Sequence, residues 1–159
     1  DYRLGRAQGP RLGENFYPLE NFGINVLVTA GSGLPYSPVQ VDNEVTLGAR
    51  APVPSGPRNS RRGPWTWRID LKAERAIYFG DFKVTPFIWV KNLLDRDNAL
   101  TVYETSGRPN TTTWLDTPPG QAFLDKFGEF GAQQYNLAEN NPRNYDIPRM
   151  IIFGLRASF

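Results

Sequence analysis

The sequence contains neither histidine nor cysteine, so its chemistry rests on carboxylates, arginines and aromatic rings. The absence removes the imidazole base that Ser-His-Asp and Cys-His nucleophiles require, and it removes the ligands of ordinary zinc sites. Glu104 and Asp116 have the groups of a glycosidase, but that reaction needs two carboxyls flanking one bond, and nothing in their spacing makes them converge. Asp95, Asp97 and Asn98 offer oxygens at a spacing open to calcium, without the full EF-hand pattern; a strand-end turn is the plainer reading. Arg58, Arg61 and Arg62 could meet lipopolysaccharide phosphates or an anionic substrate, against the plainer reading of a solvated loop. Trp114, Tyr103, Trp89 and Phe87 are the candidate ligand-binding residues, since rings stack on sugars and apolar groups; packing of loops against one another is the competing use. No catalytic residue, metal site or cofactor is expected, and the chain does not read as an enzyme. The net charge of +2 is spread over interspersed Lys, Arg, Asp and Glu, which argues against a nucleic-acid partner.

The elements that must position these groups are strands. With 15 Gly, 14 Pro and 13% aromatics, the composition favours strands and turns over helices. Four segments alternate apolar with polar or small residues: 22–30, 65–79, 82–94 and 149–159. Phe22, Ile24, Val26, Val28 and Ala30 share one face of the first, with Leu27 the misfit. Trp65, Trp67, Ile69, Leu71, Ala73, Ile77 and Phe79 share a face of the second, with Arg75 breaking the polar set. Val84, Pro86, Ile88, Val90 and Leu94 do so in the third, and Pro86, lacking an N–H, predicts a local bulge. Ile151, Phe153, Leu155, Ala157 and Phe159 form the fourth set, and the chain ends within that strand. Residues 1–4 read as the tail of another.

Residues 80–81 make a tight hairpin, whereas 31–64 and 95–148 are long and hold most of the prolines, so they read as loops. Residues 121–130, with Leu124, Phe127 and Phe130 three apart, predict a short helical turn within the second. No apolar run approaches the ~20 residues of a spanning helix, and no signal peptide precedes Asp1.

Alternation alone does not say which face is wet. Strands of about 9–11 tilted residues cross a bilayer, and these segments are that long or longer. Aromatics gather near strand ends (Trp65, Trp67, Tyr78, Phe79, Phe159), as membrane girdles require. One link is short and the next long, as in barrels with short periplasmic turns and long outer loops. Parity then makes 80–81 and 5–21 periplasmic, the latter long for that side, and makes 31–64 and 95–148 extracellular. Four or five strands cannot close a barrel, which starts at about eight, so more chain is expected. The rival is a soluble β-sandwich or lectin-like binding module.

Gly31-Ser32-Gly33-Leu34-Pro35-Tyr36-Ser37-Pro38 follows one strand, Trp65-Thr66-Trp67-Arg68-Ile69-Asp70-Leu71 opens the next and Asn92-Leu93-Leu94-Asp95-Arg96 closes the third. Val102-Tyr103-Glu104 and Gly107-Arg108-Pro109 come after them. In this order the motifs resemble the C-terminal end of TonB-dependent receptors, in the Oar-like group with a carboxypeptidase-regulatory-like N-terminal domain. The resemblance covers nearly the whole chain. It implies an all-β fold, the last four to five antiparallel strands of a transmembrane barrel of about 22 strands. It also implies a bacterial outer-membrane location, a role in uptake of a scarce ligand, and as partners lipid, lipopolysaccharide and the rest of the barrel and plug. TonB would be met only through the missing N-terminal part, since this sequence has no plug. Ile151, Phe153, Leu155 and Phe159 resemble the signal read by the barrel-assembly machinery.

Overall fold

The computed structural model describes residues 1–14, 16–41 and 52–159; positions 42–51 of the expected loop 31–64 therefore lie outside the described residues. Two compact units divide the chain. The first comprises residues 1–29, 67–96 and 147–159, the second residues 30–66 and 97–146.

The strands are β1 (Tyr2–Arg3), β2 (Phe22–Gly31), β3 (Pro35–Tyr36), β4 (Arg61–Arg62), β5 (Thr66–Arg75), β6 (Ile77–Phe79), β7 (Phe82–Lys91) and β8 (Met150–Ser158). The main sheet runs β1, β2, β5, β7, with β6 continuing β5 along one edge of β7 and β8 on the other. Neighbours in the chain are thus neighbours in the sheet, the usual outcome for antiparallel strands. The sheet is open: among the described residues no strand joins β8 to β1, and no barrel closes within this chain.

Register decides which side chains share a face, because directly opposed residues point the same way. Leu71, Val90 and Ile151 form one rung, Ala73, Ile88 and Phe153 the next, and Ile77, Val84 and Ala157 another. The apolar sets of three segments therefore merge into one continuous face. Lys72, Trp89 and Ile152, then Glu74, Phe87 and Gly154, then Tyr78, Lys83 and Ser158 make up the other face. On β2, Gly23 stands opposite Arg3 and Ile24 opposite Tyr2. Arg3 reaches Glu74 at 3.7 Å, which puts Gly23 on the polar face and Ile24, Val26 and Val28 on the apolar one.

The bulge expected at Pro86 takes another form. β5 and β6 meet β7 in one unbroken register on either side of it, and β8 pairs straight through it. No residue is inserted; the missing proline N–H removes a rung, and the ladder pauses between Arg75 and Ile77. On the other side of the strand, Ala76 donates its N–H to the Asn21 carbonyl at 3.0 Å, next to the start of β2.

The expected loop 95–148 also needs correction, since it contains helix α1 (Pro118–Glu139), longer than the turn predicted over 121–130. The Pro118-Pro119 pair, read as a loop signal, occupies the first helical positions, where a proline loses nothing. Thr117 caps the helix by accepting from the Gly120 N–H at 3.3 Å. Gly128, at φ 61° and ψ −153°, breaks α1 into two helical runs. No helix among the described residues is long and apolar enough to cross a membrane.

Candidate functional site

Among the described residues the buried apolar side chains are Val90, at 8% exposure, and Pro38; Asp70, Thr85, Asn92, Asn98 and Glu139 are buried polar ones. Order inside this chain is therefore carried by polar contacts, while large apolar groups stand bare. Phe153 is 76% exposed and Leu155 69%, and Trp65, Tyr78, Phe79 and Phe159 are exposed as well. Of the expected assembly-signal residues, Ile151, Phe153 and Leu155 share the exposed apolar face of β8, and Phe159 follows its end.

The polar face of the first unit is an ion network around Glu74. Its carboxylate lies 3.0 Å from Lys72, 3.6 Å from Arg156 and 3.7 Å from Arg3, so one acid ties β5 to β8 and β1. Phe87 sits between two of those cations, with Lys72 5.3 Å and Arg156 5.9 Å from its ring centroid. The Cζ end of the ring lies against Gly154, where a Cβ would come within 2.2 Å of it. Trp89 is covered by Lys91 at 4.2 Å. The faces of both rings are thus occupied by cations, which leaves less of them for a ligand than the sequence suggested.

Asn92 terminates β7 and is 1% exposed, with φ of 52°. Its N–H donates to Asp70 Oδ1 at 2.9 Å. Its side-chain Nδ2 donates to the Arg96 and Ile147 carbonyls at 3.0 and 3.1 Å, and Oδ1 accepts from the Arg96 N–H at 3.0 Å. Asparagine tolerates the left-handed region better than most residues, and its amide can both donate and accept. Asp95 then accepts from the Arg149 N–H at 2.8 Å, so the Asn-Leu-Leu-Asp-Arg motif holds the end of β7, the middle of β5 and the entry to β8. The Asp95 N–H itself closes a turn on the Asn92 carbonyl at 2.9 Å, and no three His, Cys, Asp or Glu among the described residues gather to hold a metal. Asp97 belongs to the second unit, where buried Asn98 accepts from the Asp146 N–H through its carbonyl at 2.8 Å.

The second unit explains the other motifs. A Cβ on Gly33 would fall 2.1 Å from the Gly63 carbonyl oxygen, and one on Gly107 would fall 2.2 Å from the Tyr36 hydroxyl. Close backbone approach thus requires glycine at 33, while at 107 the Tyr36 side chain and a φ of 71° favour it, and these contacts bring segments around 33–37, 61–64 and 102–108 together. Gly63 donates to the Leu34 carbonyl at 3.0 Å and Val39 to the Glu104 carbonyl at 3.2 Å. A cleft of about 240 Å³ lies there, lined by Tyr36, Leu100, Val102 and Glu104 among others. Asp116 is not among the residues lining it and sits in the 3-10 turn Trp114–Asp116. Arg61 and Arg62 pair with β3 and, like Arg58, are exposed.

Trp114 stacks on Tyr135 with centroids 5.0 Å apart and meets Phe123 edge-on at 5.7 Å, so it packs helix α1. Tyr103 donates its hydroxyl to the Glu139 carbonyl at 2.8 Å. Buried Glu139 accepts from the Thr112 N–H at 2.7 Å and from the Thr112 hydroxyl, a role with no signal in the sequence. Burial pushes the Tyr135 hydroxyl above its ordinary value; its hydrogen bond with Thr112 opposes the shift, and the Glu139 carboxylate adds to it.

Comparison with protein-family models, with curated proteins and with solved structures gives no match.

Proposed function

We propose that the chain is wall and outer-loop material of an outer-membrane β-barrel of the TonB-dependent receptor kind, contributing to uptake of a scarce ligand. On this reading β2 and β5 to β8 turn their apolar face to lipid and their charged face to the lumen, and the segments of the second unit form surface loops. The observation that carries it is the continuous apolar face created by register across β5, β6, β7 and β8, exposed along β6 and β8 and mostly half-buried along β5 and β7 where Val90 is buried, while the opposite face is knit by ion pairs. Alternation of lipid-facing and lumen-facing residues is the mark of such walls. The open edges point the same way, because unpaired backbone groups in lipid cost several kcal/mol each; further strands must continue the sheet at β1 and β8. Their partners would be lipid, lipopolysaccharide, the remaining barrel with its plug, and the barrel-assembly machinery, with TonB engaged through the plug-bearing part.

The chain lacks cysteine, so single cysteines can be placed and labelled without background. Phe153→Cys and Leu155→Cys carrying a bimane label should be quenched by brominated lipid in outer-membrane vesicles, and Arg156→Cys and Ser158→Cys should not. A heat-modifiable gel species much larger than this chain should carry the label. A detergent-free monomer in which positions 153 and 155 are shielded by protein would refute the proposal and favour the β-sandwich module.

A further inference from the structure

Helix α1 ends in a groove whose chemistry differs from the charged sheet. An open cleft of about 640 Å³ lies beside its last turns, lined by Asn110, Thr111, Gln133, Asn136, Leu137 and Asn140, with Glu139 beneath. That volume falls within the range of roughly 300–1,000 Å³ typical of small-molecule sites. Glu139 is its one ionisable group, and its carboxylate is committed to Thr112. What remains is four carboxamides, one hydroxyl and one leucine.

The Asn110 and Asn136 amides hydrogen-bond to no other described residue, Asn140 Oδ1 accepts only from the Tyr145 hydroxyl at 3.3 Å, and Gln133 reaches Glu129 at 3.5 Å. Each carboxamide offers two donors and an acceptor. That set suits groups that also donate and accept at once, namely vicinal hydroxyls. It offers no positive charge to a phosphate or a carboxylate, and the Glu139 carboxylate in the lining would repel either. Phe130, 71% exposed, stands on the same helix face one turn before Gln133, since residues three and seven apart align. Phe130 lies outside the cleft's lining, and with Leu137, 72% exposed, it extends the helix face by an exposed apolar surface suited to the C–H face of a sugar ring.

We propose that this groove is a binding subsite for a neutral oligosaccharide. As a statement of what the outer loops capture it rests on the receptor reading, but glycan binding and membrane residence are separate measurements. A protein that binds glycan in the absence of membrane would keep the groove and remove the receptor; a membrane barrel that binds none would do the reverse.

The test is titration calorimetry of the intact protein, extracted from its membrane or purified without detergent, with maltohexaose, laminarihexaose and chitohexaose, and with trigalacturonate as the anionic control. At least one neutral oligomer should saturate, and trigalacturonate should not. Phe130→Ala and Asn136→Ala should each weaken that binding, the former roughly tenfold, with the helical circular dichroism unchanged. Phe130→Trp, which keeps a ring in place, should restore it. Failure of all three neutral oligomers to bind at about 10 mM, equal binding of trigalacturonate, or affinity indifferent to Phe130 and Asn136 would overturn the proposal.

Discussion

Replacing Asn92 tests whether the end of β7 is organised by one side chain. Asn92→Ala deletes two donated hydrogen bonds and one accepted one, each worth about 0.5–1.5 kcal/mol net. It also forces an ordinary Cβ residue to φ of 52°, which costs about 1–2 kcal/mol. The sum is roughly 2.5–6.5 kcal/mol. Asn92→Gly makes the same hydrogen-bond deletions but is at ease in the left-handed region, so it should lose less by about 1 kcal/mol. Alanine is ordinarily the more stabilising of the two residues, and here the order should reverse. The assay is denaturant unfolding followed by β-sheet circular dichroism, with the gel shift on heating as a second probe. An alanine variant at least as stable as the glycine variant would refute the backbone argument. An alanine variant within about 1 kcal/mol of the parent would refute the whole role assigned to Asn92.

Gly154→Ala should destabilise the sheet by about 1–3 kcal/mol, because its Cβ would sit 2.2 Å from Phe87; in a Phe87→Ala background the same change should cost little, a coupling that a double-mutant cycle measures. Phe153→Lys, on the exposed apolar face of β8, should cost about 2–4 kcal/mol if it lies near the bilayer midplane, whereas Ser158→Lys should be nearly neutral; equal tolerance of both in folding yield would count against a lipid-facing surface. Tyr135 has a raised folded value, caused first by burial, so the folded state holds its proton longer than the unfolded chain. Its contribution is complete below the unfolded value of about 10 and is lost as pH rises through the folded one. Thermal melts of the helix above pH 10 should therefore fall more steeply in the parent than in Tyr135→Phe.

Period-two alternation was enough to find the long strands, because a residue's parity fixes its face whatever the neighbours do. Leu27, the misfit, is exposed along with Val26 and Val28, so nothing on its face demanded a polar residue. Pro86 signalled an irregularity, but its form depended on β5 and β6 keeping one register against β7, and sequence does not reveal that pairing. Helix α1 was underestimated because Pro118-Pro119 serves loops and helix starts equally, and Gly128 with Gly131 weakens the periodic signal. The candidate rings were chosen by type alone: Trp114 is packed against the helix and Phe87 is held between cations, since an aromatic surface attracts protein partners as readily as ligands. Asn92, Gly33 and Gly107 were legible only as parts of a resemblance; their hydrogen bonds and close contacts supply the mechanism.

The bare apolar face and the bare edge of β8 occur together, and they make different demands on a partner. A second sheet packed face to face, as in a sandwich, would cover Phe153 and Leu155 but leave the outer N–H and C=O groups of Met150–Ser158 unpaired. Another strand added beside β8 would satisfy those groups and flank the side chains without burying their tips. Lipid can cover the tips and cannot pair the backbone. On the barrel proposal a continued sheet in a bilayer meets both demands with one arrangement, and the polar face is consistent with that proposal. Glu74 and Asp70 retain 18% and 7% side-chain exposure beneath their cations, an ordering suited to a confined aqueous lumen. On the barrel proposal, therefore, a strand from the rest of the wall pairs with β8, and disulfide trapping between cysteines placed along β8 and that strand would reveal it; cross-links that instead join the apolar rungs to a stacked sheet would decide for the sandwich.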